Sequence, residues 1–152
     1  MESAQETFIS STSWSERTGP TATLATIQKY ENLDAHKHLI QIGELVRSGW
    51  NSAAKAANLE ILVEGLPSIT KFTFLNDKDL VMKTYFTQRM LEEGFLASGR
   101  FYAMYAHTHE VTEMYIEATK RIFIEISELL DGNSLESSLR GGIAHSGFQR
   151  LN

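Results

Sequence analysis

Val111, Met114, Tyr115, Ala118, Ile122, Ile126 and Leu129 recur at three- and four-residue steps. An apolar stripe kept up for about five turns commits the stretch to an amphipathic helix that must bury one face. Thr108 stands before it as an N-cap, and Gly132 after it as a stop. A second stripe, Leu39, Ile42, Val46, Trp50 and Ala53, follows the same rule. That helix is expected from Asp34, a fair N-cap, to about Ala57, with Asn58 as its C-terminal signal.

Between the two stripes the period changes. Residues 60–64 are short, apolar and partly β-branched, and end at Gly65. Residues 69–74 are rich in β-branched and aromatic side chains. Both read as strands, joined through Leu66, Pro67 and Ser68, because the residue before a proline is extended or turning. A helix over 79–93 follows, capped by Asn76 or Asp77 and stopped by Gly94 in a left-handed conformation. Residues 95–98 read as a third strand, 99–106 as irregular, and 134–139 as a short helix before the glycine-rich tail. Upstream, 21–31 reads as a helix with Pro20 at its first position, where the missing N–H costs nothing. Helices beside a few short strands predict an α+β fold, a small three-stranded sheet with helices packed on one face. No repeat at a 20–50 residue period is seen.

Composition narrows the function classes. At 152 residues the chain can bury a core without disulfides or a structural metal, and it has no cysteine for either. No apolar run is long enough to cross a membrane, and no basic segment leads into an apolar block as in a signal peptide. A cytoplasmic location is the expectation. Lys plus Arg total 14 against 19 Asp plus Glu, with no basic stripe, so neither nucleic acid nor membrane is an expected partner.

Few residues carry obvious chemistry. Phosphate-loop, dinucleotide and nucleophile-elbow motifs are missing. His36/His38 and His107/His109 are spaced two apart, which does not face two ligands together on a helix. No metal site is expected, and a hydrogen bond from His107 to a loop carbonyl is the simpler role. Glu92 and Glu93 could do acid–base work or form a solvated helix end. Phe101, Tyr102, Met104 and Tyr105 could line a pocket, form an interface or fill the core. Lysines 29, 37, 55, 71, 78, 83 and 120 are spread out, whereas a Schiff-base lysine wants a desolvated setting. Residues 10–18 hold six hydroxyls in nine positions ahead of Pro20. That pattern suits an anion at a helix start or a plain polar loop with caps.

Several segments together resemble a known family. The run Phe8-Ile9-Ser10-Ser11-Thr12-Ser13-Trp14-Ser15-Glu16-Arg17-Thr18-Gly19-Pro20-Thr21-Ala22 is similar to the segment just after the cofactor lysine of class III aminotransferases. The subgroup most alike is the glutamate-1-semialdehyde aminomutase-like one. Gly94-Phe95-Leu96-Ala97-Ser98, Ala106-His107-Thr108 and Ala144-His145-Ser146-Gly147-Phe148 match later parts of that subgroup in the same order.

The resemblance implies a pyridoxal-phosphate (PLP) enzyme of fold type I, moving an amino group between an amine or amino acid and a carbonyl. It implies a homodimer acting on a small-molecule substrate. Residues 1–33 would be a remnant of the large PLP-binding domain, and 34–152 the C-terminal small domain with its linking helix. Ser11 and Thr12 match the position that reaches the cofactor phosphate of the neighbouring subunit. Arg17 and Arg100 are candidates to meet a substrate carboxylate. The cofactor lysine belongs upstream in this family, so the chain alone is expected to be inactive and not to bind PLP. The large domain of the same enzyme is then its expected partner. Exposed apolar surface on the 21–31 helix is a further expectation. The rival reading is a stand-alone, non-catalytic binding or dimerisation module with the same fold, and a helical adaptor is a more distant third.

Overall fold

A computed structural model describes residues 15–145 and Gly147. Two compact units divide the chain, Met1–His36 and Lys37–Asn152.

In the first unit, α1 spans Thr18–Asn32. It starts two residues earlier than expected, which leaves Pro20 in the first turn, where its N–H is not needed. None of its residues is buried. Leu24, Ile27 and Tyr30 are exposed apolar side chains at three-residue steps, as the sequence led us to expect. The chain turns after α1 at Asp34, which takes a left-handed φ of 48°.

Six elements follow: α2 (Ala35–Ala56), β1 (Ile61–Leu66), β2 (Ile69–Phe74), α3 (Asp79–Glu92), β3 (Arg100–Tyr102) and α4 (His109–Asp131). A single 3₁₀ turn, Glu136–Ser138, follows α4. The strands form one antiparallel sheet in the order β1-β2-β3. Leu66 pairs with Ile69, so the hairpin turns on Pro67 and Ser68 alone. Gly65, at φ 96°, takes the left-handed region just before that turn.

Strand alternation decides which face is covered. Thr70, Phe72 and Phe74 are buried, and their partners Ile61 and Val63 are half-buried. Leu62, Glu64, Ile69 and Lys71 point the other way and are exposed. The helices therefore pack on one face, giving the expected α+β fold with a small three-stranded sheet. Phe72 is the hub of the core. Its ring meets Trp50, Phe74, Phe86 and Phe123 edge-on, with centroids 4.9–5.5 Å apart. Close contact between α2 and the hairpin needs Gly43, where an added Cβ would run into the Pro67 carbonyl.

Helix ends follow their sequence signals in part; at the start of α3 the N-cap residue is Lys78, not Asn76 or Asp77, and Asn76 Oδ1 accepts from the Lys78 N–H at 2.9 Å. Thr108 caps α4, its Oγ1 accepting from the Val111 N–H at 3.2 Å. Gly94 (φ 87°) and Asn58 (φ 54°) take the left-handed positions expected of them. At the end of α4, Gly132 stays right-handed, and Asn133 (φ 49°) makes the reversal.

The third strand is not where the sequence placed it. Residues 95–98 form the connection, and β3 is Arg100–Tyr102. The Phe95 N–H bonds the Met90 carbonyl at 2.8 Å, which ties this segment to the end of α3 instead of a strand. Phe101 alone of β3 turns toward the core, between exposed Arg100 and Tyr102.

Candidate functional site

The connection after α3, strand β3 and the first turn of α4 enclose a largely apolar cavity of about 370 Å³. Its floor is one stack of rings. Phe101 lies parallel to His107 at 5.1 Å and to Tyr115 at 6.1 Å. Tyr115 is buried, and its hydroxyl accepts from Trp50 Nε1 at 2.9 Å. Burial pushes the Tyr115 phenol up to about 12. It stays protonated at neutral pH and serves as a fixed, neutral wall. Arg100, Tyr102 and Met104 stand at the rim.

His107 closes one side. Its Nδ1 accepts from the Met104 N–H at 3.1 Å, and its carbonyl oxygen accepts from His38 Nε2 at 3.0 Å. An acceptor at Nδ1 means a neutral ring with the proton on Nε2. Burial, and then the neighbouring His38, hold its pKa below the usual histidine range. The ring of His38 in turn rests 5.0 Å from that of Tyr105. The structure thus joins one histidine from each of the two sequence pairs, 69 positions apart. A structural role for His107 was expected, but as a bond from the ring to a loop carbonyl; the ring instead accepts from the Met104 N–H. The partner His38 was not expected, because nothing local in the sequence reports a contact at that separation.

The remaining candidates separate by surroundings. His109 pairs with Glu113 at 3.3 Å. His36 faces the Tyr30 ring at 6.2 Å. Among the described residues, no group of three or more possible ligands could hold a metal ion. Glu92 and Glu93 belong to an ion network centred on Arg89, with Arg121 on Glu93 and Arg140 on Glu92 at 2.7 Å each. Arg89 also grips Glu125 with two bonds, Nε to Oε2 at 2.8 Å and Nη2 to Oε1 at 3.1 Å. That grip lowers the pKa of the Glu125 carboxyl, against the effect of burial. These carboxylates are therefore engaged structurally rather than free for acid–base work. The aromatic run divides: Phe101 belongs to the cavity floor, while Tyr102, Met104 and Tyr105 are exposed. Ser11 and Thr12 lie outside the described residues, and Arg17 is the exposed N-cap residue of α1.

None of the seven lysines is buried. Lys71 pairs with Glu64, Lys83 with Asp79, and Lys78 donates to Asn133. A lysine carrying a covalent cofactor needs a desolvated site, and none of the seven has one formed by this chain. No helix among the described residues is long and apolar enough to cross a membrane.

No protein-family model matches the chain. No curated protein matches it either. Among solved structures, the chain superposes on the PLP internal aldimine form of the FumI protein of Sphingopyxis sp. MTA144. The TM-score is 0.76 at 21% identity, over 91% of this chain and 33% of that one. This chain therefore spans about a third of that protein's length, and what the two share is the fold. Two of the three later segments of the family resemblance reach the ring-floored cavity, the first through Gly94, Phe95, Leu96 and Ala97 and the second through His107 alone. The third begins at Ala144, whose N–H bonds Thr84 Oγ1 at 3.1 Å beside α3.

Proposed function

We propose that the chain is the C-terminal part of a PLP-dependent enzyme that moves an amino group, a class III aminotransferase or a glutamate-1-semialdehyde aminomutase-like enzyme, with 1–33 a remnant of its large domain and 34–152 its small domain. The observation that carries this reading is the fold, shared over 91% of the chain with part of a PLP-containing protein. The convergence of Gly94, Phe95, Leu96, Ala97 and His107 on one cavity adds to it, because those residues also carry the sequence resemblance.

In this reading PLP supplies the electron sink and is held by a lysine of the large domain, the partner of this chain. The small domain supplies an apolar wall. Phe101 and Tyr115 exclude water, and neutral His107 keeps the 104–107 turn closed over them. Ser11 and Thr12 are the residues assigned to the cofactor phosphate of a neighbouring subunit in a homodimer. The 152 residues alone neither bind the cofactor covalently nor transfer amino groups.

Addition of PLP, borohydride reduction and peptide mass spectrometry test this on the chain itself. The expected result is no stoichiometric adduct. A stoichiometric pyridoxyl group on one of the seven lysines would sink the proposal.

A further inference from the structure

The open face of the sheet carries an electrostatic conflict. In the β2–β3 register Lys71 stands directly opposite Arg100. Residues so paired share a face at close range, and like charges there are destabilising. Glu64, opposite Lys71 on β1, offsets one of them with an ion pair at 3.1 Å. Arg100 has no such relief: among the described residues, no ion pair or hydrogen bond engages its guanidinium.

The same two cations border a cleft of about 440 Å³ between β2, the 98–100 segment and α3. Lys83 of α3 is a third cation on its wall, Thr73 and Thr87 add hydroxyls, and among the described residues no carboxylate lines it. In a chain with a net charge of −5, three cations border one cleft, and Arg100 among them has no carboxylate partner among the described residues. The two lysines are held only by partly exposed pairs, Lys71–Glu64 and Lys83–Asp79. Pairs of this kind contribute about 0–1 kcal/mol, so both ammonium groups are free to turn toward a new anion.

We infer that this cleft binds an oxyanion group, the phosphate or carboxylate of a small molecule. Arg100 offers the two-pronged fork that matches such a group. Lys71 and Lys83 offer point charges, and Thr73 and Thr87 hydroxyl donors. A bound anion also cancels the Lys71–Arg100 repulsion, which gives the like-charge register a use. Arg100 also stands at the rim of the ring-floored cavity, so a carboxylate bound here rests on the proposed function, whereas a phosphate held with Lys71 and Lys83 does not.

The test is a titration of the full chain by amide NMR, with inorganic phosphate and with acetate at matched ionic strength. Saturable shifts are expected at Ser98, Gly99 and Arg100, weakened about tenfold or more in Arg100→Ala, as loss of a charged hydrogen-bond donor implies. Saturation by phosphate alone assigns a phosphate group, and by acetate alone a carboxylate; either supports the site. In anion-free buffer Arg100→Ala should melt at the same or a higher temperature than the parent, because one of two facing cations is gone. Three results would overturn the inference: no saturable shift with either anion, equal affinity in Arg100→Ala, or a lower melting temperature for that variant without anion.

Discussion

Trp50 on α2 donates its indole N–H to the hydroxyl of Tyr115 on α4, a buried bond of 2.9 Å beneath the cavity. It joins the two long helices at the point where the ring stack begins. Tyr115→Phe would keep the packing and leave the Trp50 N–H without its partner. An unsatisfied buried donor costs about 1–3 kcal/mol. Denaturant unfolding of the variant should show that loss, with little change in the m-value.

The same phenol sets a limit at high pH. Its folded pKa is raised to about 12, above the ordinary tyrosine value of 10.0. Between those values the unfolded chain loses a proton that the native state keeps, so stability falls as pH rises through that window. Unfolding midpoints measured from pH 9 upward should decline, and Tyr115→Phe should flatten the decline.

His107 acts at the other end of the scale. Its folded pKa lies below the ordinary histidine value of 6.5, because of burial and then His38. Below pH 6.5 the unfolded chain takes up a proton that the native ring refuses, so stability is full above that pH. It is lost as pH falls toward the folded pKa. Protonation at Nδ1 would also abolish the bond from the Met104 N–H. Ring NMR titration should place His107 below free histidine. The Met104 amide should shift with the same midpoint, and His38→Gln should move that midpoint upward.

Gly43 tests the contact between α2 and the hairpin. Gly43→Ala would normally favour a helix by about 1 kcal/mol. Here the methyl group meets the Pro67 carbonyl, so the sign reverses. Overpacking of this kind costs about 1–3 kcal/mol. Thermal unfolding of the variant should show a lower midpoint, and Gly19→Ala, with nothing near its Cβ position, should not.

Leu24, Ile27 and Tyr30 give α1 an exposed apolar stripe. Isolated helices of this length are marginal in water. Amide exchange in α1 should therefore be fast beside that of α4 in the monomer. Leu24→Ser with Ile27→Ser should reduce self-association in sedimentation velocity. Full protection of α1 in a monomer would contradict this.

How far the sequence was legible depended on the range of each signal. The α4 stripe, the Thr108 cap and the Gly94 reversal are local, and each was readable from the residue types. Strand β3 was not, because a short apolar run carries no register information. Phe95-Leu96-Ala97 outranked Arg100-Phe101-Tyr102 on composition, yet only Phe101 of the latter needed to face inward. Losing β3 also hid the Lys71–Arg100 pair, which exists only in the observed register. The His38–His107 contact joins residues 69 positions apart and had no sequence signal. The candidate site was thus visible as motifs, Gly94 to Ser98 and Ala106 to Thr108, but not as a cavity. Ser11 and Thr12 remain assignments from resemblance.

The central claim is that these residues are the C-terminal part of an enzyme whose cofactor lysine lies elsewhere. The most direct measurement is borohydride trapping of the polypeptide translated from the whole reading frame that contains this sequence, with the modified lysine located by mass spectrometry. The account predicts one pyridoxyl-lysine per chain, at a lysine other than 29, 37, 55, 71, 78, 83 or 120. A pyridoxyl group on one of those seven, or none on the polypeptide, would contradict it.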